Sequence, residues 1–146
     1  MSSASLLYSV AQVRALDAAA IASGTPGYTL MKRAGESALR ALRSRWPRAM
    51  NLAIVSGGGN NGGDGYVLAR FAQAAGLSAT VLAVTAPEQL SGDARSAFED
   101  FRASGGRVLR YAPGALSAVD VIVDALLGTG LHSAVRPAVL DRKSVG

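Results

Sequence analysis

Apolar residues recur along this chain with two alternating periods, and the switches between them predict its elements. Val10, Val13, Leu16 and Ile21 share a helix face behind a Ser9–Gln12 capping box, and Gly24, Pro26 and Gly27 stop that helix. Leu30, Ala34, Ala38, Ala41 and Leu42 mark a second helix from about residue 29 to 46, ended by Pro47. The run Asn51-Leu-Ala-Ile-Val55 reads as a buried strand over 51–56. Val67, Leu68, Phe71 and Ala75 then predict a helix over about 64–75, with Gly76 just past its end. A Thr- and Val-rich strand follows over 78–85, broken by Pro87. A helix capped by Ser91 turns Ala94, Ala97, Phe98 and Phe101 inward and stops at Gly105-Gly106. Two more strands are expected, over 107–111 and 119–124.

Strands separated by helices or crossover-length connections predict an α/β fold, a three-layer α/β/α Rossmann-like parallel sheet. The whole chain, 1–146, reads as one domain with the two leading helices packed on the sheet. In the usual doubly wound order the 51–56 strand lies between the 78–85 and 119–124 strands. Ligands bind outside the carboxyl ends of such strands, where the order reverses. Two glycine-marked segments should therefore face one crevice, 56–65 and 124–134.

The first of these reads Ser56-Gly-Gly-Gly-Asn-Asn-Gly-Gly-Asp-Gly65, with six glycines in ten residues. Glycine at this density disfavours ordered backbone, so it marks positive φ or close approach. A glycine loop leading into a helix N-terminus is a ready anion or nucleotide site. Gly57, Gly59 and Gly62 satisfy G-x-G-x-x-G, but Val84-Thr85-Ala86-Pro87 replaces the acidic residue that a conventional dinucleotide fold places for the ribose, and Glu88 lies past the proline. No G-K-[S/T] follows, which excludes a Walker loop. Asp64 would repel a pyrophosphate at the helix start, and it also suits a plain N-terminal charge role. Asn60 and Asn61 suit turn positions as well. Asp124 closes an apolar strand at the same sheet edge. Oxygen donors from two segments, without thiols or clustered histidines, suit a hard cation.

Composition narrows the picture little further. The chain has no cysteine, which excludes disulfides, cysteine nucleophiles and thiolate metal sites. The net charge of +5 lies largely in Lys32, Arg33, Arg40, Arg43, Arg45 and Arg48. Arg33, Arg40 and Arg43 share the polar side of one helix, an ordinary solvated face. Aromatic residues are 5% and none interleaves with the arginines, so no nucleic-acid partner is expected. No run reaches the ~18 apolar residues of a membrane span, and the start lacks a basic n-region. The default location is cytoplasmic.

Three stretches together resemble the YjeF N-terminal domain family, the NAD(P)H-hydrate epimerases. They are the leading helix pair with Gly24-Thr-Pro-Gly27 and Leu30-Met-Lys-Arg-Ala-Gly35, the string Gly57-Gly-Gly-Asn-Asn-Gly-Gly-Asp-Gly65, and Val123-Asp-Ala-Leu-Leu-Gly-Thr-Gly-Leu131. The resemblance implies an isomerase of metabolite repair that interconverts the R and S forms of NADHX and NADPHX. It implies substrate contacts from Asn60, Asn61, Gly62, Gly63 and Asp64, and from Gly128, Thr129, Gly130, Leu131, His132, Ser133 and Ala134. It implies a potassium ion on Asn61 and Asp124, and a NAD(P)H-hydrate dehydratase, fused or separate, as companion. A homodimer is compatible with it. Asp64 is the candidate proton carrier; His132 is a second, set against a loop histidine without catalytic duty. The alternative is a non-catalytic nucleotide-binding or protein-interaction module of the same fold.

The resemblance stops near Pro137. The family continues to a further strand ending in Asp-x-Pro-Ser-Gly, whose aspartate meets substrate and whose serine helps hold the cation. Here the chain reads Pro137-Ala-Val-Leu-Asp-Arg-Lys-Ser-Val-Gly146, and Asp141 does not match. The expectation is a C-terminally truncated domain in which the 119–124 strand is an uncovered apolar edge.

Overall fold

β1 (Asn51–Ser56) is the middle of the sheet, and its burial shows why: every residue from Leu52 through Ser56 is buried, so both faces are covered. The computed structural model describes residues 27–112, 114–115, 118–126 and 135–137. Around β1 run α1 (Gly27–Arg45), α2 (Gly59–Ala74), β2 (Ser78–Ala83), a 3₁₀ turn (Pro87–Gln89), α3 (Gly92–Ala103), β3 (Arg107–Arg110), β4 (Val121–Ala125) and β5 (Val135–Pro137). The helix expected over 10–21 and the segment 128–134 lie outside the described residues.

The strand order is β3-β2-β1-β4-β5. β1 pairs in parallel with β2 and β4, and β2 with β3, as the sequence predicts. The fifth strand corrects two expectations. It runs antiparallel to β4, with Val121 opposite Pro137 and Val123 opposite Val135, so the sheet is mixed and β4 is not an uncovered edge. Proline cannot donate to a ladder, and it stands here on the outermost strand, where that loss is tolerated.

Both described crossovers, β1-α2-β2 and β2-α3-β3, step the same way across the sheet. Right-handed connections then put α2 and α3 on one face, and α1 joins them. Leu52, Ile54, Val81, Val121, Val123 and Ala125 point into that helical layer, with Leu39, Leu42, Leu68 and Phe101 above them. Alternate positions, Ala53, Val55, Leu82 and Ile122, form a second cluster on the opposite face. The third layer expected from the sequence lies outside the described residues.

α1 buries Leu30, Met31, Ala38, Leu39 and Leu42, while Arg33, Arg40 and Arg43 stand in solvent as anticipated. α3 buries Ala94, Ala97 and Phe101, with Phe98 half-buried. Ser91 occupies its N-cap position but makes no side-chain capping bond, which corrects that reading. Asp120 ties the amino ends of β1 and β4 together: its Oδ2 accepts from the Met50 and Asn51 amides at 2.9 and 3.0 Å.

α2 departs most from the sequence reading. It starts at Gly59 rather than near residue 64, and it is buried without a break from Asn61 to Ala69. It lies between α1 and α3 on top of the sheet, so it has no free face until Arg70. Phe71 is only half-buried and Ala75 is exposed.

Candidate functional site

β1 ends at Ser56, two residues before Gly58 caps the following helix. Gly57 still donates to Ala125 O at 3.1 Å, and Val84 donates to Ser56 O at 2.9 Å, so the carboxyl ends of β4, β1 and β2 are fastened to one another. Gly58 is the extended N-cap of α2, and Gly59, at φ +66°, turns the chain into the helix. Gly59 alone between Gly57 and Gly65 has positive φ.

The other glycines serve close approach. A Cβ on Gly62 would lie 2.0 Å from the Gly57 carbonyl oxygen. A Cβ on Gly65 would lie 2.6 Å from Ser56 Oγ and 2.9 Å from Ala125 Cβ. A Cβ on Gly63 would meet Met31 Sδ at 2.6 Å and Ala94 Cα at 3.1 Å. Contacts that tight are available only to a residue without a side chain. The expected glycine loop is therefore mostly helix, pressed onto the sheet on one side and onto α1 and α3 on the other.

This moves Asp64. It is not a first-turn residue, since the first turn of α2 holds no acidic side chain, and the helix-dipole explanation for it falls away. Asp64 is 3% exposed and Asn61 is 2% exposed, whereas Asn60 is exposed. Asn61 and Asp64 are three apart on a helix and so are neighbours on its surface. Burying a carboxylate and an amide is costly unless each is partnered, so their presence among glycines and apolar residues marks a polar core within the helix start.

Asp124 reaches the same edge by another route. It pairs in register with Val55, a position on the sheet face away from α2. Its Oδ1 accepts from the Leu126 amide at 3.0 Å, which draws the carboxylate to the strand end. Gly57 joins the two sides: Gly62 sits on its carbonyl, and its own missing Cβ leaves room 3.2 Å from Leu126 O. Asn61 and Asp64 thus come from the helical layer, and Asp124 comes from the strand beside it. The donors on hand are amide, carboxylate and carbonyl oxygens, a set that suits a hard monovalent or divalent cation. Gly128, Thr129, Gly130, Leu131, His132, Ser133 and Ala134 are outside the described residues.

Two buried hydroxyls have no hydrogen-bond partner among the described residues: Ser56 Oγ beneath Gly65 and the hydroxyl of Tyr66. Burial pushes the Tyr66 phenol up to about 12. Its ring meets Phe98 edge-on at 5.5 Å. The sequence reading also missed an apolar rim. Val84, Leu109, Tyr111 and Leu126 are large and exposed, and all stand at or just past the carboxyl ends of β2, β3 and β4. The available signal was an apolar residue directly after each strand, where turn residues are usual. A cavity of about 210 Å³ opens there between β2 and β3. Another, of about 460 Å³, lies at the amino edge around Trp46 and Asp120 and includes none of the candidate site residues.

A sheet parallel from β3 to β4, with a glycine-rich helix start and an acidic strand end at its switch point, defines an α/β protein whose ligand side is expected at that carboxyl edge. Residues 27–142 match the family described as YjeF-related protein N-terminus, and the chain belongs to that family. It is 45% identical over 131 residues to the bifunctional NAD(P)H-hydrate repair enzyme Nnr of Coxiella burnetii, covering 90% of this chain and 27% of that protein. It is 37% identical to the NAD(P)H-hydrate epimerase of Rhodobacter capsulatus, covering 82% of this chain and 60% of the relative. Among solved structures, the yeast protein ynu0 superposes with a TM-score of 0.63 at 25% identity, over 73% of this chain and 49% of that one. The chain thus spans about a quarter of the bifunctional relative and three fifths of the epimerase.

Proposed function

We propose that this chain acts as an NAD(P)H-hydrate epimerase, interconverting the R and S forms of NADHX and NADPHX. The observation that carries this reading is the buried Asn61–Asp64 pair at the start of α2, at the same carboxyl edge of the sheet that Asp124 of β4 closes. The names of the relatives, a repair enzyme and an epimerase of NAD(P)H hydrates, agree with it.

The hydrate carries a hydroxyl on the carbon beside the ring nitrogen, a hemiaminal. Transfer of a proton to that hydroxyl lets the C–O bond break and water leave, with the nitrogen lone pair forming an iminium. Water then adds to either face and returns the proton. The chemistry needs one proton carrier and no nucleophile, and Asp64 is the carrier in this reading. Its burial suits the role, because a carboxyl shielded from bulk water passes its proton to the substrate rather than to solvent. Asn61 orients the substrate from one helical turn away.

A potassium ion is the proposed cofactor, held by the Asn61 amide oxygen and the Asp124 carboxylate. Bound there, it would supply fixed positive charge beside a substrate carrying a diphosphate. The proposed companion is a dehydratase that consumes the S form, and the proposed setting is the cytoplasm. No described helix is long and apolar enough to cross a membrane.

Asp64→Asn tests the assignment, since it keeps the shape and removes the proton. The expected loss is about 10²–10⁴-fold in epimerisation rate, with an unchanged melting curve. An undiminished rate would remove Asp64 from the mechanism.

A further inference from the structure

We infer that the cavity at the carboxyl ends of β2 and β3 holds the adenosine arm of the dinucleotide, with Glu88 reading a 2′-hydroxyl and Arg110 a 2′-phosphate. The inference rests on the dinucleotide reading above, and three observations carry it further.

The first is position. A ligand whose reacting ring lies over the β1–β4 crevice has its other half free to run along the same carboxyl edge. The cavity lies two strand spacings away, about 10 Å. The path passes Gly58 and Thr85, which lie side by side: a Cβ on Gly58 would meet Thr85 Cγ2 at 3.5 Å.

The second is the lining. Val84 and Leu109 are 53% and 40% exposed, with Pro87 beside them, so a flat apolar ring finds walls already in place. The Pro87 side is held from below: Arg95 donates to Pro87 O at 3.1 Å while its Nε pairs with Glu99 at 2.9 Å. A pocket ordered before binding costs less to fill.

The third is charge. The sequence places Glu88 beyond a proline, out of reach of a ribose site, but the 3₁₀ turn Pro87–Gln89 folds back and makes Glu88 part of the lining. Arg110, the last residue of β3, lines the same cavity. A carboxylate accepts from a ribose hydroxyl, and a guanidinium takes a phosphate bidentately. One residue of each kind at one mouth suits a site that accepts both nucleotide forms.

The test is calorimetric titration of the full chain with adenosine 5′-monophosphate and adenosine 2′,5′-bisphosphate, with amide NMR shifts locating each. Both probes should shift Val84 and Leu109. Arg110→Ala should weaken the bisphosphate at least about tenfold and leave the monophosphate unchanged. Glu88→Gln should weaken the monophosphate several-fold and tighten the bisphosphate. Shifts confined to other residues, or affinities indifferent to both substitutions, would overturn the assignment. Epimerisation is read separately: an active enzyme without this binding sinks the subsite alone, and binding without epimerisation sinks the epimerase reading alone.

Discussion

The Cβ that Gly62 lacks would fall 2.0 Å from the carbonyl oxygen of Gly57, closer than any real carbon approaches an oxygen it is not bonded to. Gly62 is a helix residue, so alanine there would by propensity gain about 1 kcal/mol. The clash runs the other way, and its partner is backbone with nowhere to go. Gly62→Ala should lose at least about 1–3 kcal/mol by urea denaturation and lose substrate affinity with it. Gly63→Ala should cost less, because the atoms it meets first belong to the flexible end of Met31. Equal stabilities for the two variants would contradict this packing of α2.

Ser56 Oγ is fully buried at the end of β1 and has no hydrogen-bond partner among the described residues. A hydroxyl in that state destabilises the fold relative to a methyl group. Ser56→Ala should be neutral or stabilising by about 1 kcal/mol, and Tyr66→Phe likewise. A loss above about 1 kcal/mol in either would reveal a partner for that hydroxyl.

Alkaline pH should weaken the fold through two tyrosines. Burial first, then the hydrogen bond to Asp100, pushes the Tyr28 phenol up to about 12, and burial does the same for Tyr66. A tyrosine unfolded in water titrates near 10. Between these values the unfolded chain binds fewer protons than the folded one, so stability is full below about pH 10 and falls as pH rises toward 12. Denaturation midpoints across that window should show the decline, and Tyr28→Phe with Tyr66→Phe should flatten it. A flat wild-type profile would contradict the burial of Tyr66 and the half-buried, Asp100-bonded setting of Tyr28.

The sheet was legible because its signals are local. The Asn51–Ser56 run, its neighbours and the β3-β2-β1-β4 order follow from apolar strands parted by helices. The start of α2 was not legible, because glycine written in sequence looks the same whether it bends a loop or lets a helix touch its surroundings. Gly62, Gly63 and Gly65 do the second, and only three-dimensional neighbours such as Gly57, Met31 and Ser56 reveal it. β5 was missed for a related reason: Val135–Pro137 is three residues long and ends in proline, too short to show a period. At the site, Asn60, Asn61, Asp64 and Asp124 were visible as residues. That Asn61 and Asp64 are interior and Asn60 is not depends on helix phase, which the wrong helix start concealed.

The most direct measurement is R-to-S conversion of NADHX by the wild-type chain, followed by chromatography in potassium and then sodium buffer, with the spontaneous rate subtracted. Acceleration over the spontaneous rate, greater in potassium than in sodium, is the predicted result. A rate no faster than the spontaneous one in either buffer would contradict the epimerase account and favour a binding module on the same fold.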